Sequence, residues 1–453
     1  AQNDDIYFQA MEAKNICYEK ALQNIVDVMK RVSAKTGRDL KPFTYYGSSE
    51  AKEIIVAMGS INETIKETID DLNTKGYQVG LIEVHLYRPF SLEYFQKVLP
   101  KTVEKIAVLD RTKEHGSVGE PLYLDVKAVV PSSIEVYGGR YGLSSKNTTP
   151  RDIKAVYDFL KNKPHHNFTI GIEDDVTHLS LEVDESYIPS TSHELLIYGY
   201  GSDGMVSAGK SLISMIGNNT ENYVQGYFQY DSKKSGGVTI GHLRFDEKPI
   251  RSTYYVEKPE MIVITKNQYL DSFDVFSKIK ENGIFLINTI YNEQELNKKI
   301  PTKMKQIIRD KHCKVYIVNA YEIAFRSNLK NKISMIMEAS ILHLMNLLGE
   351  KEWQLYLQED IKHKFLKKGM DVVDANMSAI NMTLDKIQEI SIDLEPTFDL
   401  DENDSQVVSM MMKRRGEELP TSAFLKNNDG VFPSGTSTLE KRGIANVVPS
   451  WIS

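Results

Sequence analysis

Apolar residues first recur at helical spacing: over residues 9–37, Ile16, Leu22, Ile25, Val28 and Met29 share one face and predict a helix that ends at a Gly-Arg-Asp turn. From Glu53 the rhythm changes. Residues 54–58 form an apolar run of strand length, after which Ile61, Ile65, Ile69 and Leu72 return to helical spacing and stop at Gly76. Residues 79–86 and 106–110 predict further strands, the glycine-rich stretch between Tyr137 and Pro150 predicts a loop, and residues 151–160 predict a short helix. A second cycle opens at Glu194, with a strand over 195–198, a glycine-rich turn, a helix, and strands near 224–230, 261–265, 283–288 and 315–319. Strands alternating with helices at this spacing predict an α/β protein with two consecutive doubly wound, mainly parallel-sheet domains. Three amphipathic helices follow, over 333–348, 353–366 and 372–387. Beyond Ile390 the residues turn acidic and unpatterned, which predicts a linker or draped extension.

Composition narrows the class. A chain of 453 residues is too long for one ordinary core, so two or three domains are expected. With 41% hydrophobic residues it is globular, and its net charge of -7, without a basic stretch, argues against a nucleic-acid partner. The longest apolar runs are far shorter than the roughly 20 residues of a membrane span. Cys17 and Cys313 stand too far apart in sequence for a disulfide framework or a cysteine metal site, which fits a reducing compartment. The first residues carry no initiator Met and no basic region before an apolar one, so they read as an internal start and not as a secretory leader.

Residues 204–211, Gly-Met-Val-Ser-Ala-Gly-Lys-Ser, match the phosphate-binding P-loop pattern between a predicted strand and a predicted helix. The turn, however, already begins at Gly199-Tyr-Gly201-Ser202-Asp203-Gly204, so the helix is expected to start near Gly204 and to carry Lys210 and Ser211 inside it. No later strand ends in an evident Mg²⁺-holding Asp. A plain strand-to-helix turn without a ligand, and a P-loop nucleotide hydrolase, are the rival readings of this segment. A second Ser/Gly turn, residues 230–237, presents Lys233 and Lys234 as point charges suited to phosphate. The charged runs at 110–114 and 173–175 read as solvated loops or interdomain ion pairs and not as acid/base sites, and His165 and His166 as plain loop residues.

Several blocks also carry a family resemblance: Leu86-Tyr-Arg-Pro-Phe90, Ile106-Ala-Val-Leu-Asp-Arg-Thr-Lys-Glu114, Gly138-Gly-Arg-Tyr-Gly142, Gly171-Ile-Glu-Asp-Asp-Val-Thr177, Gln225-Gly-Tyr-Phe228, His242-Leu-Arg-Phe245 and Glu440-Lys-Arg-Gly-Ile444. These resemble the middle of pyruvate:ferredoxin (or flavodoxin) oxidoreductase, over nearly the whole chain. The resemblance implies a multidomain enzyme that oxidatively decarboxylates pyruvate on thiamine diphosphate with Mg, passes electrons through [4Fe–4S] clusters to ferredoxin or flavodoxin, and releases the acetyl group on coenzyme A. It implies a homodimer in the cytoplasm, or in a hydrogenosome-type organelle of an anaerobic protist. By the same resemblance, residues 1–45 are the tail of a pyrimidine-binding thiamine domain and 46–190 a transketolase C-terminal-like domain. Residues 191–395 are then a gamma-type domain, and 396–453 an extended linker before a ferredoxin-like domain.

The family's coenzyme A contacts fall on Gly201, Ser202, Asp203, Gly204 and Met205, on Lys233, and on Asn376. Met205 replaces a small hydroxyl residue, and a further family Asn is Ser334 here. The resemblance assigns the thiamine diphosphate and cluster ligands to other parts of the family's chain, and so assigns no catalytic or metal residue to this one. A fusion variant that delivers electrons to NADP, and a noncatalytic scaffold subunit, are the remaining alternatives.

Overall fold

Strand Glu53–Met58 is apolar on both sides, and its alternating side chains feed two cores at once. Ile55 packs with Ile65, Ile69 and Val156 on one face of its sheet, while Ile54 and Val56 pack with Phe95 and Val126 on the other. The computed structural model describes residues 3–201, 203–231, 237–345, 347–400, 407–432, 434–439 and 449–450. The chain divides into two units: one of residues 1–190, 251–254 and 420–422, the other of 191–250, 255–419 and 423–453.

The first unit runs α1 (Asp4–Glu12), α2 (Asn15–Thr36), β1 (Phe43–Gly47), β2 (Glu53–Met58), α3 (Ile61–Thr74), β3 (Gly80–Val84), α4 (Leu92–Val98), β4 (Lys105–Asp110), α5 (Pro121–Val129), β5 (Glu135–Arg140), α6 (Pro150–Lys161) and β6 (Phe168–Thr169). Its six strands lie in the order β1-β3-β2-β4-β5-β6, with only the edge strand β1 antiparallel to its neighbour. Two expectations are corrected here. The single helix over 9–37 is broken near Ala13, and its apolar stripe is only partly covered: Val26 is buried, whereas Ile16 and Val28 are exposed. The stretch read as loop begins inside strand β5, where Gly138 and Gly139 leave room for aromatic rings; a Cβ at Gly139 would lie 2.2 Å from the Phe168 ring.

The second unit runs β7 (His193–Tyr200), α7 (Met205–Asn219), β8 (Tyr223–Tyr230), β9 (Val238–Asp246), β10 (Met261–Ile264), α8 (Tyr269–Ser272), β11 (Ile284–Asn288), α9 (Glu293–Asn297), α10 (Thr302–Asp310), β12 (Lys314–Val318), α11 (Ala320–Arg326), α12 (Ser334–Met345), α13 (Glu350–Phe365), α14 (Met370–Lys386), β13 (Gln388–Ile390) and α15 (Val407–Met412). Seven strands lie in the order β13-β12-β11-β10-β7-β9-β8. The four from β12 to β7 are parallel, while β13 on one edge and the β8–β9 hairpin on the other are antiparallel. Helices cover both faces, α7 and α11 to α14 on one and α8 to α10 on the other. Both units are therefore α/β, each with a mixed sheet. Among the described residues no helix is long and apolar enough to cross a membrane.

Candidate functional site

Strand β7 is the place in the second unit where the strand order reverses. The chain leaves β7 for β8 and β9 on one side and returns to β10 on the other. In open α/β sheets this arrangement leaves a crevice beyond the carboxyl ends of the two strands, and ligands bind there. The carboxyl end of β7 runs straight into the sequence-predicted turn.

Asp203 builds the turn. Its Oδ2 accepts from the Tyr200 N–H at 2.7 Å and its Oδ1 from the Met205 N–H at 2.8 Å, and the Thr265 hydroxyl lies 3.1 Å from Oδ2. Burial pushes its carboxyl pKa up, opposed by the Tyr200 and Met205 N–H groups and by the nearby Lys266 charge. Gly204 follows with φ of +88°, and a Cβ there would lie 3.1 Å from Ser334 Cβ, so the position is closed to side chains on two counts. Helix α7 then starts at Met205, which is buried. Gly201 donates its N–H to the Gly237 carbonyl at 2.9 Å and so ties the turn to the start of β9.

The neighbouring strand ends are braced. Tyr269 donates its hydroxyl to the Gly199 carbonyl at 3.1 Å, and Asn288 donates to the Thr265 carbonyl at 3.1 Å while accepting from the Ala320 N–H at 2.9 Å. Lys266, directly after β10, places its ammonium 4.8 Å from the Tyr200 ring centroid and 5.1 Å from that of Tyr321. None of Thr265, Lys266, Tyr269 and Asn288 is picked out by sequence reasoning. Their signal is positional: Thr265 and Lys266 directly follow β10, Tyr269 opens α8 and Asn288 ends β11, and only the strand order brings them to β7.

Of the residues expected to meet coenzyme A, Gly201, Asp203, Gly204 and Met205 come together in this turn, while Ser202 and Lys233 lie outside the described residues. Asn376 sits apart in the chain on α14, is buried, and turns its amide to the Val372 carbonyl of its own helix at 2.7 Å. The P-loop pattern fails on geometry. Lys210 is in the second turn of α7, exposed, with its ammonium 5.9 Å from the Phe228 ring, and the Ser211 hydroxyl donates to Asp360 at 2.9 Å and accepts from Lys364 at 2.7 Å. Neither side chain points back to the helix start, where a P-loop holds its phosphates.

Other candidates are structural. Asp110, expected in a solvated run, is buried at the end of β4 and caps the adjacent α5 by accepting from the Leu122 and Tyr123 N–H groups, both at 3.0 Å; burial pushes its pKa up to about 6. Asp174 accepts from Val176, Thr177 and Leu179 and is held down at about 2 by those bonds, although burial opposes them. His166 is fixed between the Gly138 N–H and the Val118 carbonyl. In the second unit a cavity of about 1130 Å³ lies between the β7–β9 face and a tail segment that includes Val407, Met411, Arg414, Glu418, Phe424 and Phe432. Three of its lining cations sit beside carboxylates: Lys278 by Glu257, Arg414 by Asp231 and Arg415 by Glu418.

Comparison with known proteins gives three family matches: "Pyruvate ferredoxin/flavodoxin oxidoreductase" over residues 194–386, "Pyruvate:ferredoxin oxidoreductase core domain II" over 51–153, and a domain of unknown function over 403–445. The chain is 42% identical over 472 residues to a pyruvate-flavodoxin oxidoreductase of Enterobacter agglomerans, and 42% identical over 467 residues to a pyruvate:ferredoxin oxidoreductase of Moorella thermoacetica. Each alignment takes in 100% of this chain and 40% of the relative, so the chain spans about two fifths of the relatives' length. Among solved structures, the pyruvate oxidoreductase subunit PORC of Thermotoga maritima matches with a TM-score of 0.37 and 18% identity, covering 45% of this chain and 100% of that one.

Proposed function

Because this chain belongs to the pyruvate ferredoxin/flavodoxin oxidoreductase family, we propose that it supplies the part of such an enzyme that seats coenzyme A. The whole enzyme would oxidatively decarboxylate pyruvate to acetyl-CoA and CO₂ and deliver electrons to ferredoxin or flavodoxin. One observation carries the reading: the Gly201–Gly204 turn stands at the strand-order reversal, opens the 15-residue helix α7, and is closed to side chains at Gly204. Coenzyme A is a phosphate-rich substrate. The unfilled N–H groups and positive end of a helix suit phosphate, and a glycine allows close approach of backbone to ligand. In this reading Asp203 holds the turn in shape, and the backbone, with Lys233, meets the phosphates.

The resident cofactors belong elsewhere in the enzyme. A [4Fe–4S] cluster is held by four cysteine thiolates, and this chain has two cysteines, Cys17 exposed and Cys313 half-buried. Among the described residues no group of three His, Cys, Asp or Glu side chains is placed to hold a metal ion. No step of the redox chemistry is therefore derived for residues of this chain; its own part is to bind and orient the acetyl acceptor. We also read residues 46–190 as the transketolase C-terminal-like domain and 191–395 as the gamma-type domain.

Calorimetric titration of the chain with coenzyme A, and separately with ATP plus Mg²⁺, tests the proposal. Saturable coenzyme A binding that survives Lys210→Ala is expected. Mg²⁺-dependent ATP binding lost in Lys210→Ala would favour the nucleotide hydrolase instead, and weak binding of both ligands would favour a scaffold.

A further inference from the structure

We propose that the cavity beside β7 and β9 is a second ligand site, fitted to an uncharged aromatic compound whose carbonyl oxygen accepts a hydrogen bond from His242. The inference stands apart from the coenzyme A reading, because no residue of the Gly201–Met205 turn lines this cavity. Strand register builds its floor. Leu196 pairs with His242 and Tyr198 with Ile240 across β7 and β9, and all four residues line the cavity from one face of the sheet. Val256 and Phe273 extend that wall, and Val408 of α15 stands in the wall that the tail contributes.

His242 carries the inference. Only 6% of it is exposed, and its ring stacks on that of Tyr255 with centroids 4.7 Å apart and planes 16° apart. Val256 donates its N–H to Nδ1 at 3.1 Å, so the proton of the neutral ring stays on Nε2, and Nε2 has no hydrogen-bond partner among the described residues. Burial, helped by the Arg244 and Lys278 charges, pushes the pKa down to about 3, so the ring is neutral at ordinary pH and Nε2 is a donor only. A buried donor without an acceptor is costly in a folded chain, and an acceptor that arrives on a ligand removes the cost. The other walls select the body of that ligand. Tyr198, Tyr255 and Phe273 offer rings for stacking. Lys278, Arg414 and Arg415 sit beside carboxylates and so give an anion little net attraction. At about 1130 Å³ the cavity has room for two or more fused rings.

The test titrates the full chain with two fluorescent probes: prodan, an uncharged naphthalene that bears a carbonyl and emits further to the blue in apolar surroundings, and dimethylaminonaphthalene, the same ring without the carbonyl. Saturable binding of both is expected, with prodan the tighter. His242→Phe keeps a ring against Tyr255 but removes the N–H, and is expected to weaken prodan about tenfold, the loss of one buried hydrogen bond, while leaving dimethylaminonaphthalene unchanged. If that variant does not fold, His242→Asn takes its place, because its amide oxygen can stand in for Nδ1 towards Val256 while the side chain is too short to replace Nε2. Val408→Trp fills the cavity from the half-buried tail helix and is expected to abolish binding of both probes. Absence of saturable prodan binding overturns the inference. So does prodan binding that survives Val408→Trp, which would place the probe elsewhere, and so does a His242 variant that leaves prodan unaltered or weakens both probes alike, which would make the ring a wall and not a donor.

Discussion

Single residues in the second unit show how far backbone geometry, and not side-chain chemistry, shapes the site. Gly204→Ala combines a left-handed φ of +88° with a Cβ 3.1 Å from Ser334, so the turn must move before the side chain fits. The substitution is expected to destabilise the chain by about 1 to 2 kcal/mol and to weaken coenzyme A binding more than Asn376→Ala does, as denaturant melts and titrations of the two variants would show. Glu338 on α12 is a different case. It is fully buried, neither carboxyl oxygen has a hydrogen-bond partner among the described residues, and the nearby Ser211 hydroxyl is committed to Asp360 and Lys364. Burial raises its pKa from 4.5 to about 8 against the pull of the Lys364 charge. The folded chain therefore holds a proton that the unfolded chain releases above about pH 4.5, so stability is full below that pH, falls as pH rises towards 8, and is flat beyond. Glu338→Gln should remove that slope and stabilise the chain at pH 8 by about 2 to 4 kcal/mol; urea midpoints at pH 5 and pH 8 that shift equally in both proteins would refute this.

At the scale of elements, what the sequence made legible is what periodicity carries. The parallel strands β2, β3, β4, β7, β10, β11 and β12 are each apolar runs between turn signals, and helices α13 and α14 bury one face as their spacing predicts, whereas α12, expected to be amphipathic, is buried continuously from Met335 to Leu342 because neighbouring helices and the sheet enclose it. Five strands were not read, the short β6 and β13 among them, and the longer three were hidden for separate reasons. Edge strand β1 exposes part of its surface, β5 hides behind two glycines, and β9 carries His242 and Arg244 inside a stretch buried on both faces. A charge in a central strand hides the element because the partners that neutralise it are remote in sequence: Arg244 donates to Glu194 at 2.6 Å, to Gln225 at 3.1 Å and to the Tyr255 carbonyl at 2.9 Å. The half of the site on β7 was readable from glycine spacing. The half on β10 and β11 was not, because strand order is a property of pairing and leaves no local trace. Arg244→Met should cost about 3 to 5 kcal/mol by leaving the buried Glu194 carboxylate without its counter-charge and with the Lys258 N–H as its remaining donor, whereas Arg244→Met with Glu194→Leu should recover most of the loss; thermal melts of the two variants that coincide would count against that account.

For the whole molecule, the relevant quantity is which part of a larger reaction this length of chain can perform. Its relatives are two and a half times as long, and the cofactors proposed for the whole enzyme make demands that can be set against this sequence. Each [4Fe–4S] cluster needs four thiolates. The chain offers Cys17, exposed on α2, and Cys313, whose thiol pKa burial pushes up and so away from the thiolate form a metal requires. Electrons from pyruvate would have no path within these residues. Coenzyme A would make a much smaller demand, for backbone N–H groups at a helix start and one or two cations, and the proposed seat draws on the turn between β7 and α7. Binding and turnover should therefore separate in this chain: it should titrate with coenzyme A yet remain colourless after incubation with iron, sulfide and reductant, and it should form no acetyl-CoA when supplied with pyruvate, coenzyme A, thiamine diphosphate, Mg²⁺ and an electron acceptor. Absorption spectra after reconstitution and a thioester assay are the measurements. A broad visible absorption band would mean that two cysteines suffice, through pairing between copies, and acetyl-CoA formation would mean that the thiamine site lies within these residues after all.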